Sequence, residues 1–317
     1  MYKIVVIGIG NLGKRHVQSL LKSEFDMEIY CTDPVDSNFN EIKAMESECM
    51  GTKKVFYTNS IDELPKEIDF AIIATSSFVR RNVFEELVEH RVVRNLIFEK
   101  VLFPKISDYK DVYKLLNEKK INAWVNCARR EWESWQEVKK EIDGEDIVSL
   151  DISGTEWGLA CNGIHMLDLA RYFDATINVE YVSFDSIINS KRKGYKELYG
   201  KIIGSGTRCK HLAISCYCGK KIDCIFKIQT DKRIIIVNEK MGIKQIISIE
   251  NNDVVTKEFK VEYQSCLTQK SVKNIFDEGI TGLPTYVESM DEHIQLLEPM
   301  IDFFEKNGGE KGICPIT

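Results

Sequence analysis

The run KIVVIGIGNLGKRH, Lys3 to His16, constrains this chain more than any other stretch. A short apolar strand passes directly into Gly8, Gly10 and Gly13, spaced G-x-G-x-x-G, and Val17, Leu20 and Leu21 then recur at helical spacing. Strand, glycine turn and helix in that order open a doubly wound α/β domain of the kind that holds a dinucleotide. Gly8 permits the tight turn, Gly10 lets backbone approach a pyrophosphate, and Gly13 lets helix and strand pack closely. Asn11 and Leu12 begin the helix, where unpaired N–H groups can face the phosphates. Asp33 follows Gly13 by 20 residues, at the end of the second strand, placed to accept hydrogen bonds from an adenosine ribose and to repel a 2′-phosphate. Two like charges about 4 Å apart at an effective dielectric near 20 cost ~4 kcal/mol. NAD is therefore expected over NADP, with Lys14 and Arg15 softening the preference.

The same alternation continues through residue 125. MEIYCTD, KVFYT, DFAIIAT, NLIFEK and INAWVN read as further strands, separated by helices around Asn40–Met50, in VFEELVEH and in KDVYKLLNEKK. Ser60 and Glu63 have the spacing of a capping box at a short helix start. Continuous apolar strands with helical crossovers indicate a parallel sheet covered on both faces. Beyond Asn126 the texture changes. The helix REWESWQEVKKEI and the strand IVSLDISG lead to a second helix, and from about Asn178 to Tyr263 strand follows strand with short turns, which suggests an antiparallel sheet with one covered face. A long helix follows, PTYVESMDEHIQLLEPMIDFFEKNGG, in which Pro299 is expected to make a kink. A chain of 317 residues exceeds one ordinary core. The expected division is a Rossmann domain over 1–125 and a substrate-binding and oligomerisation domain over 126–317, with the C-terminal helix free to pack back on the first.

Net charge of −6 with scattered basic residues argues against a nucleic-acid or anionic-membrane partner. No apolar window is long enough for a membrane span, and the N-terminus reads as a strand, not a signal peptide. Ten cysteines are spread through apolar runs without a C-x-x-C pair. Even the closest set, Cys216, Cys218 and Cys224, does not complete a tetrahedral metal site, so no metal is expected. Reduced buried thiols imply a cytoplasmic protein.

LACNGIHMLDLARYF, Leu159 to Phe173, carries one of only five histidines. On a helix, Cys161, His165, Asp168 and Tyr172 share one narrow stripe and apolar residues cover most of the rest. Such a helix is buried, and a His and an Asp on one line of it are either a hydrogen-bonded core pair or an acid–base group facing a pocket. In NLIFEKVLFP, Glu99 and Lys100 end an apolar strand, where ligands bind in doubly wound sheets. Lys100 there is either a solvated strand-end charge or a group that polarises a substrate oxygen. Of the other histidines, His16 reads as packing near the dinucleotide loop, His90 and His211 as helix-end and strand-end residues, and His293 as a helix-surface residue. Trp124, Trp132 and Trp135 read as packing; Trp157, beside the His165 helix, is placed in the substrate pocket.

Together, GIGNLGKRH, the EK pair ending the fifth parallel strand, and G-x-H-x-x-D in a helix of the second domain resemble the Gfo/Idh/MocA oxidoreductases, the family of glucose–fructose oxidoreductase and inositol dehydrogenase. The resemblance covers nearly the whole chain. It implies a Rossmann domain followed by an α/β domain with an open, mainly antiparallel sheet, and a homo-oligomer, dimer or tetramer. It further implies hydride transfer between NAD(P) and a sugar, nucleotide sugar or polyol. On it, Lys100 matches the lysine of the EKP motif and binds the reacting oxygen, His165 is the acid/base, and Asp168 orients it. Thr75 and Ser76, in ATSS, with Arg80 and Glu99, lie near the nicotinamide; Asn126, Arg130, Trp157 and Asn162 face the substrate. Two positions depart from the pattern: Val101 replaces the proline after EK, and Cys161 the first aspartate of D-x-G-x-H. The stretch EWGLACNGIH resembles a subgroup of bacterial surface-polysaccharide pathways. The Cys161 departure motivates an alternative, a catalytically inactive NAD(P)-binding regulatory or scaffold protein of the same fold.

Overall fold

Ile4, Val5 and Val6 are all closed to solvent although successive strand residues point to opposite faces, so the strand they form is covered on both sides. The computed structural model of the chain describes residues 1–49 and 52–317. In it this strand, β1 (Tyr2–Ile7), is followed by α1 (Asn11–Leu21), β2 (Met27–Thr32), α2 (Asn40–Met45), β3 (Lys53–Thr58), β4 (Glu67–Ile73), α3 (Ser77–His90), β5 (Val92–Phe98), α4 (Ile106–Lys119) and β6 (Asn122–Val125). The six strands form one sheet in the order β3-β2-β1-β4-β5-β6, parallel throughout. The chain reverses direction across the sheet between β1 and β4, the switch point at which doubly wound folds bind ligands. The helix expected over Asn40–Met50 is shorter: α2 tightens into a 3-10 turn over Glu46–Glu48, and Met50 lies outside the described residues. Ser60 does cap, its hydroxyl accepting the Asp62 N–H at 3.1 Å, but of a single 3-10 turn, Ile61–Glu63.

Next come α5 (Glu133–Glu141), β7 (Ile147–Thr155), α6 (Leu159–Phe173), β8 (Asn178–Asn189), β9 (Lys196–Ser205), β10 (Leu212–Tyr217), β11 (Ile225–Thr230), β12 (Arg233–Asn238), β13 (Ile243–Ser248) and β14 (Val254–Glu258). Their eight strands run β14-β13-β12-β11-β7-β10-β9-β8, antiparallel except for the β7–β10 pair. One face is covered, with α6 against β9 and β10. Its core is aromatic: Trp135, closed to solvent, meets Phe173, Phe226 and Phe259 nearly edge-on and donates its indole N–H to Glu239 at 3.1 Å. Strand β9 was not among the sequence expectations. Its glycines hide it and also make it possible: a Cβ on Gly200 would lie 2.1 Å from the Ser183 carbonyl oxygen, and one on Gly204 2.4 Å from that of Asn178. Here β8 crowds in through two register shifts.

The chain closes with α7 (Gln264–Glu278) and α8 (Tyr286–Lys306), the latter continuing through Pro299. One compact unit comprises Met1–Ala128, Glu262–Met290 and Thr317; the other comprises Arg129–Val261 and Asp291–Ile316. The first break falls three residues beyond the expected 125, and α7 with the first residues of α8 returns to the first unit. Val272 and Ile275 of α7, with Leu283, share a buried cluster with Val17, Leu20 and Ile29.

Candidate functional site

In the first unit the three glycines have three different surroundings. Gly8 has φ +91°, and a Cβ on it would stand 2.8 Å from the Thr75 nitrogen. A Cβ on Gly13 would stand 1.9 Å from the Gly8 carbonyl oxygen. Around Gly10 nothing lies within 4 Å, and it is exposed together with Asn11 and Leu12. Gly10 caps α1 without a side chain, and the first helical turn carries no acidic residue, so its N–H groups offer an open anion site. Asp33, buried at the end of β2, accepts from Ile9 N at 2.7 Å through Oδ2, and from Val35 N and Asn38 Nδ2, both at 2.9 Å, through Oδ1. It fastens the glycine loop to the second strand and keeps lone pairs for a further donor. Beside Gly8, the buried Thr75 hydroxyl has no hydrogen-bond partner among the described residues. Buried polar groups are rarely left so. An open cradle, an uncapped helix start and an orphaned hydroxyl fit a dinucleotide phosphate.

Along the sheet, Glu99 and Lys100 follow β5. Glu99 is 2% exposed, and its Oε1 accepts from the His16 ring at 2.9 Å and from Asn126 Nδ2 at 2.5 Å. Burial pushes its carboxyl up, but the hydrogen bond and charge of His16, with Asn126 and Lys100, outweigh that and hold it below the ordinary glutamate value. The other His16 nitrogen meets the Thr268 hydroxyl at 2.9 Å. Glu99, placed by sequence at the cofactor, is thus held by protein groups on every side described. Asn126, placed at the substrate, is buried with its amide on Glu99 and Gln264. Arg80 is 1% exposed, and its guanidinium donates to the carbonyls of Thr75, Val101 and Leu102, bracing two loops. Lys100 is half-buried, and its peptide with Val101 is cis.

In the second unit, α6 keeps Cys161, His165 and Tyr172 of the stripe read from its sequence partly exposed, but not Asp168. Cys161, Asn162, His165, Arg171 and Tyr172 are partly exposed and every other α6 residue is buried. Asp168 is fully buried, and Arg130 Nη2 lies 2.7 Å from its Oδ1. Arg130, placed by sequence at the substrate, is itself buried, and the same nitrogen is 3.2 Å from Glu292 Oε1. One guanidinium therefore balances two buried carboxylates. Glu292 escaped the sequence reading, and its neighbour His293 is buried and not on a helix surface. The start of α6 is capped from a distance: Glu197 accepts from Ala160 N at 2.5 Å and Cys161 N at 3.3 Å. Trp157 is half-buried with its indole N–H on the Ser215 carbonyl at 3.0 Å, and its own carbonyl accepts from Asn162 at 2.7 Å. Both residues line a pocket of about 260 Å³ that reaches Cys161.

A 3-2-1-4-5-6 parallel sheet with a glycine loop at its switch point defines a dinucleotide-binding Rossmann domain. Residues 2–127 match the oxidoreductase family with an NAD-binding Rossmann fold, GFO_IDH_MocA, so this segment is similar to the dinucleotide-binding part of the Gfo/Idh/MocA oxidoreductases. No curated protein sequence matches it. Among solved structures it is similar to an oxidoreductase from Agrobacterium radiobacter in complex with NAD+, L-tartaric acid and magnesium (15% identity, 97% of each chain, TM-score 0.74). It is also similar to the UDP-N-acetylglucosamine 3-dehydrogenase GnnA from Acidithiobacillus ferrooxidans (14% identity, 94% of this chain and 96% of that one, TM-score 0.71). The transcriptional regulator Gal80p from Kluyveromyces lactis is a third (15% identity, 97% and 93%, TM-score 0.71). Identities this low show the fold. None of the ten cysteines is in a disulfide among the described residues, and among the same residues no helix is long and apolar enough to cross a membrane.

Proposed function

We propose that this chain is an NAD-dependent oxidoreductase acting on the CH–OH group of a sugar, nucleotide sugar or polyol. The observation that carries the reading is the open cradle at Gly10, with the orphaned Thr75 hydroxyl next to Gly8, at the switch point of a family-matched Rossmann sheet. In this reading the N–H groups of Asn11 and Leu12 and the Thr75 hydroxyl hold the pyrophosphate, Ser76 lies beside the nicotinamide, and Asp33 takes the ribose hydroxyls. The bound nicotinamide supplies the hydride acceptor or donor. Lys100 donates a hydrogen bond to the reacting oxygen and stabilises negative charge on it. His165, as neutral imidazole, takes the hydroxyl proton in the oxidising direction and, as imidazolium, returns it in the reducing one. Asp168, its charge matched by Arg130, is a positioning residue that fixes the helix carrying His165. The open sheet face supports a dimer or tetramer.

The test is His165→Ala. Turnover of the best sugar substrate should fall by about 10²- to 10⁴-fold, while calorimetric titration returns the wild-type affinity for NAD. Unchanged turnover overturns the assignment. A second reading, a dinucleotide-binding regulator without turnover, is favoured by Cys161 standing where the family has an aspartate and by the likeness to the regulator Gal80p. Tight NAD binding with no oxidation across a panel of sugars and nucleotide sugars would select it.

A further inference from the structure

The run from Asp33 to Met45 carries three carboxylates, Asp33, Asp36 and Glu41, against one base, Lys43. It begins on the glycine loop, where Asp33 Oδ2 accepts from Ile9 N and Oδ1 from Val35 N and Asn38 Nδ2. A 3-10 turn, Asp36–Phe39, then leads into α2. Phe39 and Ile42 are buried in one cluster with Val17, Leu20 and Leu21 of α1. That packing brings Glu41, in the first turn of α2, to the first turn of α1. Lys14 stands there, its N–H on the Gly10 carbonyl at 3.0 Å and hence one helical turn beyond the cradle, about 6 Å along the axis. Its Nζ lies 2.7 Å from Glu41 Oε1.

NADP differs from NAD by one phosphate, on the 2′ oxygen of the adenosine ribose that Asp33 is placed to bind. Folds of this type accept that phosphate with a basic side chain near the end of the second strand. The bases close to this end of the loop are all engaged. Arg15 donates to Gln18 Oε1 at 2.7 Å, further along its own helix. Lys43 stands over the Tyr57 ring, 5.0 Å from its centroid. Lys14 is 13% exposed and Glu41 60%, so the lysine lies along the protein and the glutamate is the outer partner. The hydrogen bond and charge of Lys14, with a contribution from Arg15, hold the Glu41 carboxyl below the ordinary glutamate value, and it is ionised at neutral pH. We propose that Glu41 is a specificity-determining residue for the cofactor: by clasping Lys14 it withholds the cation a 2′-phosphate would need, and it adds a repelling charge of its own. The inference rests on reading Gly10 and Asp33 as the dinucleotide site. It divides the preference for NAD between two carboxylates, Asp33 acting on the ribose directly and Glu41 acting through Lys14.

The experiment titrates NADPH and NADH, by fluorescence, into four forms of the full chain: wild type, E41Q, K14Q and K14Q/E41Q. Binding is the readout, so the result does not depend on finding the substrate. E41Q should raise the NADPH-to-NADH affinity ratio roughly three- to tenfold, the scale of an exposed ion pair gained and an exposed repulsion lost. The gain should shrink as salt is added. In the K14Q background the same substitution should raise the ratio by roughly twofold or less, because only the repulsion is relieved; the difference between the two backgrounds is the coupling through Lys14. A ratio that E41Q leaves unmoved overturns the proposal, as does an equal gain with and without Lys14. Those outcomes, with NADH still bound, leave the dinucleotide site standing. Wild-type protein that binds neither cofactor overturns the dinucleotide reading itself, and the inference with it.

Discussion

His16 Nε2 lies 2.9 Å from Glu99 Oε1, with His16 at 0% and Glu99 at 2% exposure. One residue belongs to the helix that the glycine loop opens, the other to the strand end that carries Lys100. Thr268 holds the far side of the ring and Asn126 the other approach to the carboxylate. Four elements of the first unit therefore converge on one buried carboxylate. The dinucleotide loop and Lys100 are coupled through it, since neither can shift without stretching a hydrogen bond that has no water to replace it.

This pair makes acid sensitivity predictable. The Glu99 carboxyl is held below its ordinary value of 4.5, its hydrogen bonds and neighbouring charges outweighing burial. A depressed carboxyl contributes stability that is fully present above the unfolded value and is lost as pH falls through the folded one. Glu99→Gln should therefore destabilise at neutral pH, by about 3 kcal/mol for a broken buried pair. The gap from wild type should close as pH drops below about 4.5. Urea unfolding of both proteins across that range checks it; a gap independent of pH refutes the ionised pair.

The Arg130 arrangement predicts an asymmetry. Arg130→Met removes the guanidinium shared by two buried carboxylates, Asp168 and Glu292, whereas Asp168→Asn leaves Arg130 with Glu292 still 3.2 Å away. Removing the shared cation should cost about 3–5 kcal/mol, the amide substitution less than half of that. Denaturant midpoints at pH 7 decide the order, and an equal loss in the two variants would show that Glu292 draws nothing from the guanidinium.

What the sequence disclosed follows from how local each signal is. The strand–glycine–helix opening and the α6 stripe lie within runs of fifteen residues or so; the first stands where it was read, and the second does for Cys161, His165 and Tyr172 but not for the buried Asp168. Contacts distant in sequence were invisible. The bonds of the Arg80 guanidinium to the carbonyls of Val101 and Leu102, and of the Asn126 amide to Glu99, join residues 21 to 27 positions apart and leave no local mark. Helix α7 escaped because Thr268 and Ser271 interrupt the apolar stripe of Leu267, Val272 and Ile275, although all five are buried. Strand β9 escaped because Gly200 and Gly204 read as turn residues, when their role is to admit the backbone of β8.

Cofactor preference turns on Asp33. A 2′-phosphate about 4 Å from its carboxylate meets a repulsion of ~4 kcal/mol at an effective dielectric near 20. Asp33→Ser removes that charge and should move the NADP-to-NAD affinity ratio toward NADP by about 10- to 100-fold, the screened part of that figure. The same change deprives Ile9 N of its 2.7 Å acceptor, so NAD affinity should drop as well. Fluorescence titrations with both reduced cofactors measure the ratio; a ratio that does not move would place the ribose elsewhere.

The glycine loop offers the sharpest separation of folding from binding. A methyl group on Gly13 would sit 1.9 Å from the Gly8 carbonyl oxygen, inside any tolerable contact, with backbone as the obstacle. Gly13→Ala must therefore push α1 off β1 and lower stability by several kcal/mol, in the range of about 1–3 kcal/mol or more known for overpacked sites. On Gly10 the same methyl meets nothing within 4 Å of the protein. Gly10→Ala should fold with a thermal midpoint close to wild type, and at a helix N-cap the change from glycine costs about 1 kcal/mol at most. Its effect should fall on the dinucleotide, because the added carbon enters the space through which the pyrophosphate reaches the N–H groups of Asn11 and Leu12. NAD affinity should weaken at least tenfold, or about 1.4 kcal/mol, with no loss of helix content by circular dichroism. If Gly10→Ala binds NAD as tightly as wild type while Gly13→Ala unfolds, the loop is a packing device and the cofactor lies elsewhere.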